Sequence, residues 1–109
     1  MGYERFMSRV DFIVFGNDKW RINVKKNNQG NPDVTYDAHG LSVREARRTI
    51  ENIVNISRDP LQLKVIHGYN HGTAIKDMLC GEAFSGRIQS KFCPAENPGV
   101  TIMNLAPAA

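Results

Sequence analysis

All three histidines of this chain lie in two short segments that share one design. Residues 34–40 read VTYDAHG, and residues 63–72 read LKVIHGYNHG. Each segment is a β-type run that reaches a His-Gly pair and is followed by a helical pattern. If the two runs are parallel strands of one sheet, His39 and His67 lie at the same edge, where open α/β sheets bind ligands. The spacing therefore predicts a polar site built from the ends of two strands, with Asp37, His39 and His67 in one solvent-accessible cluster.

The side chains of these segments are the types that cleavage of a phosphodiester bond requires. Imidazoles titrate near neutral pH, so His39 and His67 can act as general base and general acid. Asp37 stands two residues before His39, on the same side of a strand, where it can orient an imidazole or hold a divalent cation. A helix that begins near Gly72-Thr73 presents free N–H groups and the positive end of its dipole to an anion.

The first third of the chain is expected to form an N-terminal extension. A β-hairpin is predicted over residues 10–26, with a turn at Gly16-Asn17-Asp18. The alternation of Trp20 with the apolar residues after it indicates packing of the indole and not stacking on bases. The polar stretch 25–33 is rich in turn residues and is expected to be an exposed connector. We therefore expect an extension over residues 1–33 and the main domain over residues 34–109.

The main domain is predicted to run β-α-β-α-β-β. Ser42 and Glu45 form a capping-box pattern at the start of an amphipathic helix, and Asp59-Pro60 ends it. The later elements are expected at residues 61–66 (strand), 73–80 (helix), 87–92 (strand) and 100–105 (strand). A strand–helix–strand crossover makes the first two strands parallel. The predicted fold class is thus α/β: a two-layer sandwich with a mixed sheet and two helices on one face, preceded by the hairpin.

Composition narrows the class of protein. The chain has 109 residues, of which 41% are hydrophobic and 23% charged, which is typical of one globular domain. The net charge of +3 suits a polyanionic partner without requiring one. Cys80 and Cys93 are too few for a disulfide framework, and we expect two reduced thiols packed in the core. Without an apolar run of membrane-spanning length, we expect a monomeric cytoplasmic protein with no membrane partner.

Three motifs resemble those of the small MutS-related (Smr) domain family. Residues 37–42, DAHGLS, with the amphipathic helix after them, look like the family's opening Leu-Asp-x-His-Gly motif. Residues 66–72, IHGYNHG, are similar to its His-Gly-x-Gly-x-Gly signature, with Asn70 in place of the middle glycine. Residues 97–105, NPGVTIMNL, look like its closing Gly-x-x-Gly-Val-Thr-x-x-x-Leu strand. The resemblance covers about residues 34–105, and Tyr36 stands where leucine is usual.

The resemblance implies a fold like the C-terminal domain of bacterial translation initiation factor three. It also implies nucleic-acid binding and, as in many members of the family, endonuclease or nicking activity on DNA or RNA. On this basis the expected catalytic residues are Asp37, His39 and His67. The expected phosphate-binding or nucleic-acid-binding residues are Gly68, Asn70, Gly72, Thr73, Lys76 and Arg44. If a divalent ion such as Mg²⁺ or Mn²⁺ takes part, Asp37 and His39 are its expected ligands.

Two alternatives to a nuclease stay open. The first is a non-catalytic module that binds nucleic acid or the ribosome and keeps the pocket for phosphate recognition. Asn70 favours this alternative. Lys76 favours it as well, because it stands near the place where many Smr domains have an arginine. The retained Asp37-x-His39 motif favours catalysis instead. The second is an enzyme acting on a small phosphorylated molecule at the same strand ends. For a nuclease, alanine at His39 or His67 should abolish cleavage and cost under about 1 kcal/mol of stability.

Overall fold

The computed structural model describes residues 2–10, 20–68, 74–81, 87–94, 96 and 99–107. This part of the chain contains three helices and a five-stranded mixed sheet. In chain order the elements are α1 (Gly2–Met7), β1 (Ile22–Lys26), β2 (Pro32–Asp37), α2 (Val43–Ile56), β3 (Leu61–Ile66), α3 (Ala74–Gly81), β4 (Ile88–Phe92) and β5 (Val100–Leu105). The prediction of an α/β domain with a mixed sheet is confirmed.

The sheet has the strand order β1-β2-β3-β5-β4. Strands β2 and β3 are parallel, and every other neighbouring pair is antiparallel. Helix α2 connects β2 to β3, and such a crossover leaves the two strands pointing the same way. In their register Asp37 lies opposite Ile66, so the two strands end level with each other. His39 and His67 therefore follow strand ends at one edge of the sheet, as the sequence predicts.

One face of the sheet forms the core. Strands β2 and β3 bury every second side chain, as expected where only one face is covered. Helices α2 and α3 contact each other and contribute a buried apolar stripe each. The buried side chains of the two helices are Ala46, Ile50, Ile53, Val54, Ile75, Met78 and Leu79. On the opposite face of β3, Gln62 and Lys64 are exposed.

Both ends of α2 are held by specific hydrogen bonds. The predicted capping box is present: Ser42 Oγ accepts from the Glu45 N–H at 3.1 Å, and Glu45 Oε1 accepts from the Ser42 N–H at 3.3 Å. At the other end, the Arg87 guanidinium donates to the carbonyls of Val54 (3.0 Å) and Ser57 (2.6 Å). A cation at a helix C-terminus also interacts favourably with the helix dipole. Burial of Arg87 lowers its pKa from the usual value.

The N-terminal region differs from the prediction. Helix α1 was not predicted, and its Phe6 is buried in the common core. Strand β1 pairs with β2, and the intervening polar residues form a turn in which the Asn27 N–H donates to the Asn31 carbonyl at 2.8 Å. The stretch expected to be a connector is thus a hairpin turn, and one sheet spans both sides of residue 33. Most of the predicted partner strand and its turn lie in residues 11–19, outside the described residues.

Two smaller expectations can also be compared with the structure. No helix among the described residues is both long and apolar enough to cross a membrane. Cys80 is exposed and Cys93 is half-buried, and both are free thiols. The expected packing of Cys80 in the core is therefore wrong, because Cys80 lies on the side of α3 that faces away from Met78 and Leu79.

Candidate functional site

The first His-Gly pair lies in a tight turn directly after β2. The Ala38 N–H donates to the Ile66 carbonyl at 2.8 Å, which continues the parallel pairing one residue beyond the strand. The Leu41 N–H then donates to the Ala38 carbonyl at 3.2 Å and closes a four-residue turn. Its third residue, Gly40, has φ +80°, a conformation in which glycine avoids the strain of a side chain. The turn leaves His39 exposed at its second position.

Asp37 and His39 form a hydrogen-bonded pair within this turn. Asp37 Oδ1 accepts from the His39 backbone N–H at 3.2 Å and also contacts ring atom Nδ1 of the same histidine. The side chain of His39 is 60% exposed, and that of Asp37 is 25% exposed. A carboxylate beside Nδ1 favours the tautomer that carries its proton there, so Nε2 keeps its lone pair. Among the described residues Nε2 has no hydrogen-bond partner, which suits a general base.

Trp20 and Arg21 border the Asp37–His39 pair. Arg21 Nη1 donates to the carbonyls of Asp37 (3.1 Å) and His39 (3.0 Å), and so spans the turn. The Trp20 ring lies 6.4 Å from the His39 ring, centroid to centroid, at an interplanar angle of 65°. Trp20 is 61% exposed, so the expectation that its indole is packed is wrong. The reason is that β1 begins at Ile22, and the strand alternation does not extend back to Trp20.

The pairing of β1 explains why sequence reasoning missed Arg21. Ile22 lies opposite Tyr36 in the antiparallel register, so the residues just before Ile22 adjoin those just after Tyr36. The sequence does show an arginine, Arg21, at the start of a predicted strand. Its place beside Asp37 and His39 follows only if β2 is the partner of β1, whereas the hairpin expected from the sequence pairs this strand with residues 10–15.

His67 lies on the core side of the sheet. It is 8% exposed, and its Nδ1 is 2.9 Å from the Gly68 carbonyl while its Nε2 is 2.8 Å from the Thr101 hydroxyl. A carbonyl only accepts, so Nδ1 is the donor; Nε2 of the neutral ring then accepts from Thr101. The expectation of one solvent-accessible cluster is therefore wrong for His67. Ile66 lies opposite Asp37 in the register of β2 and β3. Because side chains alternate along a strand, His67, the residue after Ile66, points to the opposite face of the sheet, which is the core side.

The two His-Gly pairs nevertheless lie close together. The Gly99 carbonyl accepts from the backbone N–H groups of both His67 (2.9 Å) and Gly68 (3.0 Å), which joins the end of β3 to the start of β5. Gly68 has φ +72°, and a Cβ atom built on it would lie 3.8 Å from His39 Cβ. Glycine is thus required here by backbone conformation rather than by space. The hydrogen bonds of His67 to Gly68 and Thr101 therefore hold the backbone that lies beside His39.

The remaining predicted binding residues are only partly described. Asn70, Gly72 and Thr73 lie outside the described residues. Lys76 is half-buried in the first turn of α3, and Arg44 is exposed in the first turn of α2. Within the described part of the chain, neither basic side chain has a hydrogen bond or ion pair to Asp37 or His39. Their role in binding stays a prediction.

The donor atoms at the site fit a divalent ion only in part. The residues that the structure describes contain no group of three or more His, Cys, Asp or Glu side chains able to hold a metal. Asp37 offers a carboxylate, the ligand type that Mg²⁺ prefers, but its Oδ1 and His39 Nδ1 face each other. Mg²⁺ commonly binds one or two carboxylates and takes its other ligands from water and substrate phosphates. Asp37 Oδ2 is the atom available for that arrangement.

Comparisons of the chain with protein-family models, with curated proteins and with solved structures find no match. The chemistry of the described side chains and the three sequence motifs are thus the grounds for a function.

Proposed function

We propose that this protein is a small nucleic-acid-binding endonuclease of the Smr type, in which the Asp37–His39 pair carries out acid–base chemistry on a phosphodiester bond. The observation that carries the proposal is the exposed His39 ring, with Nδ1 held by a carboxylate and with no hydrogen-bond partner of Nε2 among the described residues. An imidazole oriented in this way is the common general base of enzymes that activate a hydroxyl or a water. The net charge of +3 agrees with a polyanionic substrate.

In the proposed reaction His39 moves the protons. Its Nε2 accepts the proton of the attacking oxygen, which belongs to a water or, in RNA, to a ribose 2′-hydroxyl. The attacking oxygen forms the new P–O bond while the bond to the leaving oxygen breaks, and the leaving oxygen takes a proton from the His39 imidazolium or from water. Asp37 holds the ring and stabilises its charged form. A divalent ion, if bound at Asp37 Oδ2, would neutralise phosphate charge.

His67 has a different role in this proposal from the one expected of it. Both of its ring nitrogens are engaged inside the protein, so it is a positioning residue and not the general acid. Through Gly68 it holds the backbone that lies beside the His39 side chain. Arg21 is a second positioning residue, because its two hydrogen bonds to carbonyls fix the turn that carries Asp37 and His39.

A non-catalytic nucleic-acid-binding or ribosome-binding module is the second candidate. The burial of His67 favours it, because a reaction that needs separate acid and base groups then has only one exposed histidine among the described residues. The exposed Trp20 beside a guanidinium also suits binding without chemistry. In this case His39 would donate to a phosphate with Asp37 orienting its ring, or the pair would simply stabilise the turn.

The deciding experiment is a cleavage and binding assay on the purified chain. Labelled single-stranded, duplex and branched DNA, and RNA, are each incubated with EDTA, Mg²⁺ or Mn²⁺. The nuclease proposal expects cleavage that falls by about 10²- to 10⁴-fold in His39→Ala and Asp37→Asn. Asp33→Asn is the matched control, since Asp33 lies on the same strand and face as Asp37, away from His39. Binding without cleavage of any substrate by the wild-type protein would establish the module instead.

A further inference from the structure

Building on the proposed nuclease function, we infer that Trp20 and Arg21 form a stacking platform for an unpaired nucleobase, so that the site takes single-stranded nucleic acid. Trp20 is 61% exposed, although a large aromatic ring beside a strand of the sheet would ordinarily be mostly buried. The indole lies next to the one exposed histidine of the described residues, and not at an arbitrary place on the surface.

The stacking platform is held in place before any ligand binds. The Arg21 guanidinium carbon lies 4.5 Å from the centroid of the Trp20 ring, which is the geometry of a cation–π contact. Arg21 is itself fixed by hydrogen bonds to the carbonyls of Asp37 and His39. A planar aromatic surface that is already ordered costs little conformational entropy when a base stacks on it. The guanidinium also adds a positive charge where a phosphate backbone would pass.

The position of the platform relates the stacked base to the proposed chemistry. The Trp20 and His39 ring centroids are 6.4 Å apart, so a nucleotide whose base rests on the indole would lie beside the His39 ring. Base faces inside a duplex are covered by their neighbours in the stack, so apart from the two terminal base pairs only an unpaired base offers a free face. Stacking on an aromatic ring tolerates every base, since each has a π-face. The expected substrate is therefore single-stranded or locally unpaired, with weak sequence preference.

The fluorescence of the protein reports directly on this proposal. Trp20 is the only tryptophan of the chain, so a change in indole emission can come only from the platform. In EDTA, titration with a single-stranded oligonucleotide should quench the emission to a plateau. A blunt duplex of the same sequence should quench it little at the same nucleotide concentration. Equal quenching by the two would overturn the inference, as would binding of the single strand with no change in emission.

Variants separate stacking from general electrostatic attraction. Trp20→Ala should weaken binding of a labelled single strand by about 5- to 150-fold, the range that corresponds to loss of one stacked base, while binding to duplex stays unchanged. Trp20→Phe should restore most of the affinity. Phe92→Ala is the matched control, because Phe92 is also an exposed aromatic residue, on strand β4, and its loss should have no effect. Melting curves check that each variant is folded.

The outcomes distinguish this inference from the function on which it rests. If the wild-type protein cleaves nucleic acid and Trp20→Ala binds single strands as well as the wild type, the platform is wrong and the nuclease stands. If no cleavage occurs but Trp20→Ala loses its single-strand affinity, the platform stands and the function is that of a binding module. Failure of the wild-type protein to bind any nucleic acid overturns both.

Discussion

Replacing His67 by alanine is expected to destabilise the fold far more than replacing His39. His67 is 8% exposed and its two ring nitrogens bond to Gly68 and Thr101, whereas the His39 side chain is 60% exposed. The expectation from sequence, a cost under about 1 kcal/mol at either position, is thus kept for His39 alone. The structure makes His67 part of the support of the site, and its loss should be felt by the whole domain.

The magnitude follows from what His67→Ala leaves behind. The Thr101 hydroxyl is in a side chain only 2% exposed, and a buried polar group that loses its partner costs about 1–3 kcal/mol. The emptied volume of the ring adds to this, so we expect a total loss of about 2–4 kcal/mol. For a domain of this size each kcal/mol lowers Tm by about 4–8 °C. Alanine at His39 should leave Tm close to that of the wild type.

A double-mutant cycle isolates the hydrogen bond itself. Thr101→Val removes the hydroxyl and keeps the shape of the side chain, and it is measured alone and together with His67→Ala. Urea unfolding of the four proteins should give an interaction energy of about 1 kcal/mol between the two positions. An interaction energy near zero, or a His67→Ala protein that melts with the wild type, would refute the structural role assigned to His67.

Three further predictions test the scaffold. Gly40→Ala should cost about 1–2 kcal/mol because φ is +80° there, while Gly81→Ala, with open space around it, should cost nothing; denaturant titrations compare the two. Arg87→Met should lower the free energy of unfolding by about 2–4 kcal/mol, measured by urea titration, because the carbonyls at the end of α2 lose their donor. The hydrogen bond from Lys26 holds the pKa of Glu4 at about 2, below its usual 4.5, so the ion pair stabilises the fold above pH 4.5 and ceases to do so as pH falls towards 2. The stability difference between Glu4→Gln and wild type should shrink over that interval and with added salt, and a difference that grows at low pH would contradict this.

Local patterns in the sequence were sufficient for much of the fold. The Ser42–Glu45 capping box marks where α2 begins, and strands β3 and β5 occupy the residues whose apolar character predicts them. These features depend on neighbours within a few positions, so they can be predicted without knowing the tertiary structure. The parallel pairing of β2 and β3 follows from the crossover rule, and it brings the two His-Gly pairs to one edge.

The features that sequence reasoning missed depend on long-range pairing. The partner of β1 is β2, and only this register brings Trp20 and Arg21 beside His39. The burial of His67 depends on its lying on the face of the sheet that forms the core, and its partner comes from the neighbouring strand β5, where Thr101 supplies the hydroxyl. A periodic pattern in the sequence indicates that the two faces of a strand differ. The neighbouring strand of the sheet determines which polar groups each residue contacts.

The central claim is that His39 moves the protons in cleavage of a phosphodiester bond, and the most direct measurement is the single-turnover rate of that cleavage. The wild-type protein and His39→Ala are compared on the best substrate of the nucleic-acid panel, with and without added imidazole. We expect a rate about 10²- to 10⁴-fold lower in the folded variant, partly restored by imidazole. Equal rates in the two proteins, or the absence of any wild-type cleavage while binding persists, would contradict it.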